Sequence, residues 1–310
     1  MQHTRLFVIW LLCASVWASA IDFPLYLKWD RRDLRNPIVR QTQYPILCGD
    51  TFRAFCDFQV DELSTEFDPT VVTRGSTVFV AMKYLKFFFE KIVPEIQSPF
   101  VLVTSNGDGQ IDERYLSYIE HEKIAKWFGR NITIEHPKVC CIPLGLTWLS
   151  RIPGEQIKPY FSDLTREKFF AEKPIYCYLN IRRTHPHRDK VLEIFADKPF
   201  CKTASFMPFD EYMVEVASSR FVLSPRGFNL DSFRTWEALY AGSIPVIDVK
   251  EIRGVYDGLP VILVEDWNLV TPEFLEAEFE KLKSQTFHLE RLHAQYWLDQ
   301  IQEAKNISQK

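Results

Sequence analysis

Residues 221–248 read FVLSPRGFNLDSFRTWEALYAGSIPVID, and the fold follows from them. FVLS is a short apolar run of the size of a buried strand, and it leads into Pro225-Arg226-Gly227, which turns the chain sharply at the strand's carboxyl end. Asp231 or Ser232 offers a cap for a helix over 232–241, Gly242 suits the left-handed residue that ends it, and IPVI begins the next strand over 244–248. The stretch is therefore a compact βαβ unit. The amino end of its helix has unpaired N–H groups and the positive end of the dipole, a setting that attracts phosphate. Arg234, in the first turn, is disfavoured there by about 0.3–1 kcal/mol, and a bound anion reverses that sign. Arg226 lies on the same edge and suits a bidentate grip on a diphosphate, with Ser224 and Gly227 in the same turn. Glu237, one helical turn beyond Arg234, either pairs with it or accepts hydrogen bonds from a ribose. The residues taken alone also allow a solvated Arg226 and an ordinary Arg234–Glu237 surface pair.

Outward from this unit, strands and helices alternate. Strands are predicted over 76–81, 98–104, 139–144, 175–181 and 261–264, and helices over 83–96, 115–128, 186–195, 210–218, 272–283 and 288–303. This pattern predicts an α/β fold with parallel sheets. The polar stretch 150–173, with Pro153, Gly154 and Pro159, reads as a linker plus one helix. The chain thus divides into 1–20, 21–155, 156–285 and a C-terminal helix over 286–310. Two α/β halves joined by a linker enclose a cleft, and ligands of open α/β sheets sit beyond the carboxyl ends of the strands.

The 310 residues are 46% hydrophobic and 25% charged, which excludes a disordered chain. The balance of 37 Lys+Arg against 41 Asp+Glu argues against nucleic acid as partner. Residues 6–20, LFVIWLLCASVWASA, are shorter than the roughly 20 residues that cross a bilayer. They follow Arg5 and end in Ala18-Ser19-Ala20, so they read as a secretory signal peptide cut after Ala20. An uncleaved signal anchor, which would make the membrane a partner, and an apolar first helix are the alternatives. Cleavage would leave the protein in the secretory lumen or outside the cell. Cys48 and Cys56 could close a short loop, no Cys-x-x-Cys pair suggests zinc, and sequons begin at Asn131 and Asn306.

Pro225-Arg226-Gly227, Arg234, Glu237-Ala238, Gly242 and Ile244-Pro245-Val246-Ile247 together resemble the donor-site signature of the exostosin-type glycosyltransferases. That pattern is PRG, six variable residues, R, two residues, EA and G-x-IPVI, and it is matched here without a gap. The resemblance implies a GT-B fold, with two Rossmann-like domains facing across a cleft. It implies a hexosyl- or pentosyltransferase taking a nucleotide diphosphate sugar to a glycan or glycoprotein acceptor, in the ER or Golgi lumen. Arg226, Arg234 and Glu237 would then face the donor. More weakly, Asn180, Arg182, Arg183 and Arg188 in LNIRRTHPHRDK (179–190) resemble the family's phosphate-facing edge, and a solvated basic loop is the alternative. His185 and His187 show no third metal ligand. The likeness runs over roughly 75–270 and does not reach 21–75.

Two departures shape the mechanism that the resemblance implies. Asn229 stands where many retaining GT-B enzymes carry an acid, eight residues before the ribose-binding Glu, and Asp231 is the nearest acid. No Asp-x-Asp pair occurs in the mature chain, so no metal or other cofactor is expected, and arginines and helix dipoles would stabilise the departing diphosphate. Asp108, in a Gly-flanked turn at a strand's carboxyl end, is the candidate general base, with a plain turn aspartate as the alternative. A fucosyltransferase-like GT-B enzyme shares the helix–Gly–PV strand, and a non-catalytic lumenal carbohydrate-binding module would share the fold.

Overall fold

The computed structural model describes residues 21–22, 40, 42, 44–63, 66–146 and 164–309. The expected signal peptide and the expected domain boundary at 155/156 lie outside the described residues.

The amino-terminal half is built on a parallel five-stranded sheet. Its strands are β2 (Phe58–Val60), β4 (Thr77–Ala81), β5 (Phe100–Ser105), β6 (Ile124–Gly129) and β7 (Val139–Cys141), side by side in chain order. The central strands TVFVA and FVLVTS are buried at every position, as parallel strands covered on both faces must be. A small antiparallel pair, β1 (Ile21–Asp22) with β3 (Glu66–Phe67), stands apart from this sheet.

Right-handed crossovers that always step in one direction put their connections on one face of a sheet. The other face needs cover from elsewhere in the chain. That cover comes from α1 (Gly49–Phe55) and from α9 (Ala294–Gln309), both packed against β5. The C-terminal helix therefore returns to the amino-terminal half. It buries Ala294, Trp297, Leu298 and Ile301, and it is tied down where Ala294 N–H donates to Pro45 O (2.9 Å) and Lys305 Nζ to Asp57 (2.7 Å).

The carboxyl-terminal half has β8 (Ile175–Leu179), β9 (Cys201–Thr203), β10 (Ser219–Leu223), β11 (Ile244–Ile247) and β12 (Ile262–Leu263), all parallel, in the order β12-β11-β10-β8-β9. Its helices include α4 (Arg166–Phe170), α5 (Pro186–Phe195), α6 (Phe209–Ala217), α7 (Phe233–Tyr240) and α8 (Pro272–Lys283). The expected architecture of two Rossmann-like α/β domains is thus observed.

Several expectations need correction. The helix predicted over 115–128 is only α3 (Leu116–Ile119), and 124–129 form β6. Apolar residues at 116, 119, 124 and 127 fit a helical period, but pairing with β5 decides the outcome. Trp127 Nε1 donates to Thr104 Oγ1 (2.9 Å), and Gly129 lies so close to that hydroxyl that a Cβ would stand 2.6 Å from it. The helix predicted over 83–96 is a relay of 3₁₀, α and π turns around α2 (Leu85–Phe87), ending at Glu95. The helix predicted over 288–303 begins later, at Ala294, after a 3₁₀ turn. Cys48 and Cys56 do not pair. They flank α1, whose seven residues separate them by about 10 Å at 1.5 Å per residue, beyond disulfide reach.

Candidate functional site

The strand order of the carboxyl-terminal sheet reverses at β8, so connections leave β8 and β10 on opposite sides. The carboxyl ends of these two strands open a crevice of the kind in which doubly wound sheets bind ligands. The turn after β10 and the amino ends of α7 and α5 border it.

The turn is held from below. Ser224 is buried, with its Oγ 2.9 Å from Thr235 Oγ1 and its N–H on Val246 O (2.8 Å), so its side chain serves packing between turn and helix. Arg226 N–H donates to Asp248 Oδ1 (3.2 Å). Asp248 also accepts from Trp267 Nε1 (2.8 Å) and bonds His187 Nε2 of α5, so one carboxylate gathers three elements at the carboxyl end of β11. A cavity of about 280 Å³ adjoins this hub, bordered by Arg226, His187, Lys190 and Glu251.

The expected capping of α7 differs in detail. Ser232 is the capping residue by position but makes no side-chain cap bond. Asp231 instead accepts Ser232 N–H (2.8 Å), leaving the amino end of α7 without a hydroxyl or carboxylate cap over its first turn. Gly242 ends α7 with φ +68°, and Ser243 N–H closes on Ala238 O (2.9 Å), as a left-handed terminator should.

Two guanidinium groups meet here. Arg234 is half-buried, and its Nε and Nη1 are buried with no hydrogen-bond partner among the described residues. Arg188 lies over the turn, where its Nε donates to Arg226 O (3.3 Å) and a Cβ on Gly227 would stand 3.1 Å from its Nη2. Burial, followed by the neighbouring Arg234 charge, pulls the Arg188 guanidinium down to about 10, against the opposing pull of Asp248. Glu237 is buried beneath. Burial pushes its carboxyl up, opposed by the Arg234 charge and by the Tyr212 hydroxyl, which donates to it at 2.8 Å. Placed so, Glu237 balances Arg234 from inside the fold.

The other expected residues lie differently. Arg182 is exposed and stacks over Phe206, 4.6 Å from the ring centre. Arg183 is exposed and pairs with Asp189 (3.2 Å). Asp231 is buried and fully engaged. Leu144 N–H, Trp236 Nε1 and the Tyr256 hydroxyl donate to it at 2.8, 2.9 and 2.7 Å, in addition to Ser232 N–H. Its own N–H donates to Asn131 Oδ1 (3.2 Å). Burial raises its carboxyl against these bonds and the Arg130 charge. With its oxygens so occupied, Asp231 braces one half against the other. Asp108 is exposed at the facing edge of the amino-terminal half.

Sequence reading missed Asp248, Tyr212 and Asn131. Only Asp248 carried a signal, an acid directly beyond the IPVI strand. Of the two sequons, Asn306 is exposed, whereas Asn131 is 1% exposed and part of the brace. No helix among the described residues is long and apolar enough to cross a membrane, and no group of three His, Cys, Asp or Glu among them could hold a metal ion.

Fold and site together define a two-domain α/β protein with a crevice bordered by arginines at a topological switch point. Residues 189–307, less than half of the chain, match the family model described as the RXYLT1 C-terminal domain. The match runs from α5 through α9 and includes the β10–α7 unit. Among solved structures, a chain titled "Crystal structure of GtfA/B complex" is similar at 13% identity and a TM-score of 0.36, over 76% of this chain and 58% of that one. The present chain thus spans less than two thirds of that chain's length. No curated protein matches significantly.

Proposed function

We propose that this protein is a glycosyltransferase that binds a nucleotide diphosphate sugar in the crevice between β8 and β10 and passes the sugar to a hydroxyl of a glycan or glycoprotein acceptor. One observation carries the reading: the buried, unpartnered Nε and Nη1 of Arg234, beside Arg188 at the uncapped end of α7. A buried donor without a partner costs about 1–3 kcal/mol, more for a charged group. Two adjacent cations add repulsion that a diphosphate would relieve. The family match over 189–307 supports the same reading, as does the exostosin-like spacing from Pro225 to Ile247.

In this mechanism Arg234 and Arg188 offset the charge that grows on the diphosphate as the bond to the sugar breaks. Arg226 contributes through its turn, which Asp248 holds in place. Glu237 positions Arg234 from beneath, a role in place of the ribose contact. The charge neutralisation is assigned to the protein's own cations, and the secretory lumen is the proposed compartment. Calorimetric titration with UDP and GDP, with and without Mg²⁺ or Mn²⁺, tests the reading. Binding of one nucleotide by the wild type, with and without the metal, and its weakening by about 10–100-fold in Arg234→Ala is the expected result. A wild type that binds neither nucleotide under any condition overturns it. A panel of nucleotide sugars scored for slow hydrolysis then identifies the donor.

A further inference from the structure

The carboxyl edges of the two sheets meet at a polar seam centred on Asn229, three residues beyond Arg226. Its Nδ2 donates to Asp108 Oδ1 (2.6 Å). Its Oδ1 accepts from Gly109 N–H (3.2 Å) and from Asn131 Nδ2 (3.2 Å). Every one of these partners belongs to the amino-terminal half. The amide is the group this position calls for, because it must donate to a carboxylate with one end and accept from two N–H groups with the other. A carboxylate at 229 would accept from Gly109 and Asn131 equally well but would oppose Asp108 charge to charge.

The turn that presents Asp108 is built for close approach. Gly107 has φ +156°, and a Cβ there would stand 2.9 Å from Met82 Cβ. Arg130 is buried behind the turn and donates to Gly107 O, and Asn131 Nδ2 donates to Gly109 O (3.1 Å). Asp108 Oδ1 is thus fixed by Asn229, while the residue is exposed and its Oδ2 has no hydrogen-bond partner among the described residues. A carboxylate is held by one oxygen, with the other open, beside the turn that carries Arg226.

We infer that Asn229 is a positioning residue, and that it holds Asp108 of the opposite half at the donor crevice as the group that accepts the proton of the attacking hydroxyl. The inference rests on the glycosyltransferase reading above. The step balances as a direct displacement. The acceptor oxygen forms a bond to the anomeric carbon, and its proton passes to Asp108 Oδ2. The bond from that carbon to the diphosphate oxygen breaks, and the nucleoside diphosphate leaves with the electron pair. Asn229 thereby accounts for the missing acid eight residues before Glu237, since the carboxylate arrives from across the seam.

The test uses the full chain, the donor identified by the hydrolysis panel, and four variants measured for turnover, UDP or GDP affinity and melting temperature. Asp108→Asn keeps an acceptor oxygen for Asn229, so affinity and melting stay at wild-type values while turnover falls about 100-fold or more. Asn229→Ala leaves Asp108 present but unheld, so kcat falls while the donor KM stays unchanged. Asn229→Asp sets two carboxylates against each other and lowers the melting temperature. The double variant Asp108→Asn/Asn229→Asp rebuilds the hydrogen bond with donor and acceptor exchanged, so melting recovers while turnover stays lost. Full turnover in Asp108→Asn overturns the inference, as does a double variant whose turnover returns together with its stability, because the pair would then be a brace alone. A wild type that binds no nucleotide would strike the donor site instead, and the two failures are distinguishable.

Discussion

In the amino-terminal sheet the strands lie in chain order, β2 to β7, whereas in the carboxyl-terminal sheet the order reverses at β8. Both sheets are parallel and five-stranded, so the difference lies in the connections. The reversing sheet opens a crevice of its own and fills its border with Arg188, Arg226 and Arg234. Among the described residues, the sequential sheet has no such reversal. It borrows a cover from the far end of the chain and presents small polar turns, Asn106–Gly109 and Arg130–Asn131, to its neighbour. Strand order thus separates a half suited to hold an anion from a half suited to meet it.

The sharpest way to break this comparison is to remove residues 294–309. Trp297, Leu298 and Ile301 each contribute about 1.5–3 kcal/mol by burial, and together they approach the whole stability of an ordinary domain, about 5–15 kcal/mol. The truncated chain should lose cooperative unfolding of its amino-terminal half, read by near-ultraviolet dichroism and dye binding. A wild-type melting curve after truncation would mean that the sequential sheet needs no borrowed cover.

Next in size is the brace between the halves. Asp231→Ala strands Leu144 N–H, Trp236 Nε1 and the Tyr256 hydroxyl, all buried, and should cost about 3–5 kcal/mol. Denaturant titration measures this directly. A loss below about 1 kcal/mol would show that the halves do not depend on this carboxylate.

Nucleotide affinity tests the asymmetry itself. Arg234→Ala should weaken UDP or GDP binding by about 10–100-fold, the value of one or two charge-assisted hydrogen bonds. Lys83→Ala, which removes a cation just beyond β4 at the edge of the sequential sheet, should leave it unchanged. Equal losses in both would place the anion between the halves and contradict a site owned by one of them.

How much of this was legible in the sequence follows the same divide. The β10–α7–β11 unit was readable because each piece has a local cause: a Pro-Arg-Gly turn, a helical period and a glycine terminator. Pro186–Phe195 and Pro272–Lys283 were readable for the same reason, since a proline at the first helical position marks each start. The amino-terminal half resisted because its decisive facts are not local. β6 was read as helix since IAKWFG carries no strand alternation, and only its pairing with β5 fixes it. β2 has three residues, too short for any period to show. Asp231 is a catalytic candidate in the sequence as the acid nearest Asn229, whereas its donors Leu144 and Tyr256 come from distant parts of the chain. Arg188 and Arg234 were visible as cations set against a dipole, but that Glu237 lies beneath them and not beside them depends on Tyr212 from another helix.

The smallest effect contrasts how the two halves respond to pH. In the amino-terminal half, burial favours a protonated Asp57, but its bonds from Lys305 and Thr77 outweigh burial and hold the carboxyl below the usual range. Its contribution is present at neutral pH and lost as pH falls through the lowered value. In the carboxyl-terminal half, Lys173 reaches Gly242 O (2.5 Å) and Ser243 Oγ (2.9 Å) at the end of α7, and burial, then Lys168, pulls its ammonium down to about 8. Between that value and the ordinary 10.5 the unfolded chain binds more protons than the folded one, so folding gains stability as pH rises. From pH 7 to 9 the gain amounts to about 1 kcal/mol. Denaturant titrations of wild type and Lys173→Met at both pH values isolate it, because the variant lacks the titrating group while all other groups cancel. A parallel rise in both proteins would show that Lys173 keeps its ordinary proton affinity, and that the end of α7 is as open to water as the surface around it.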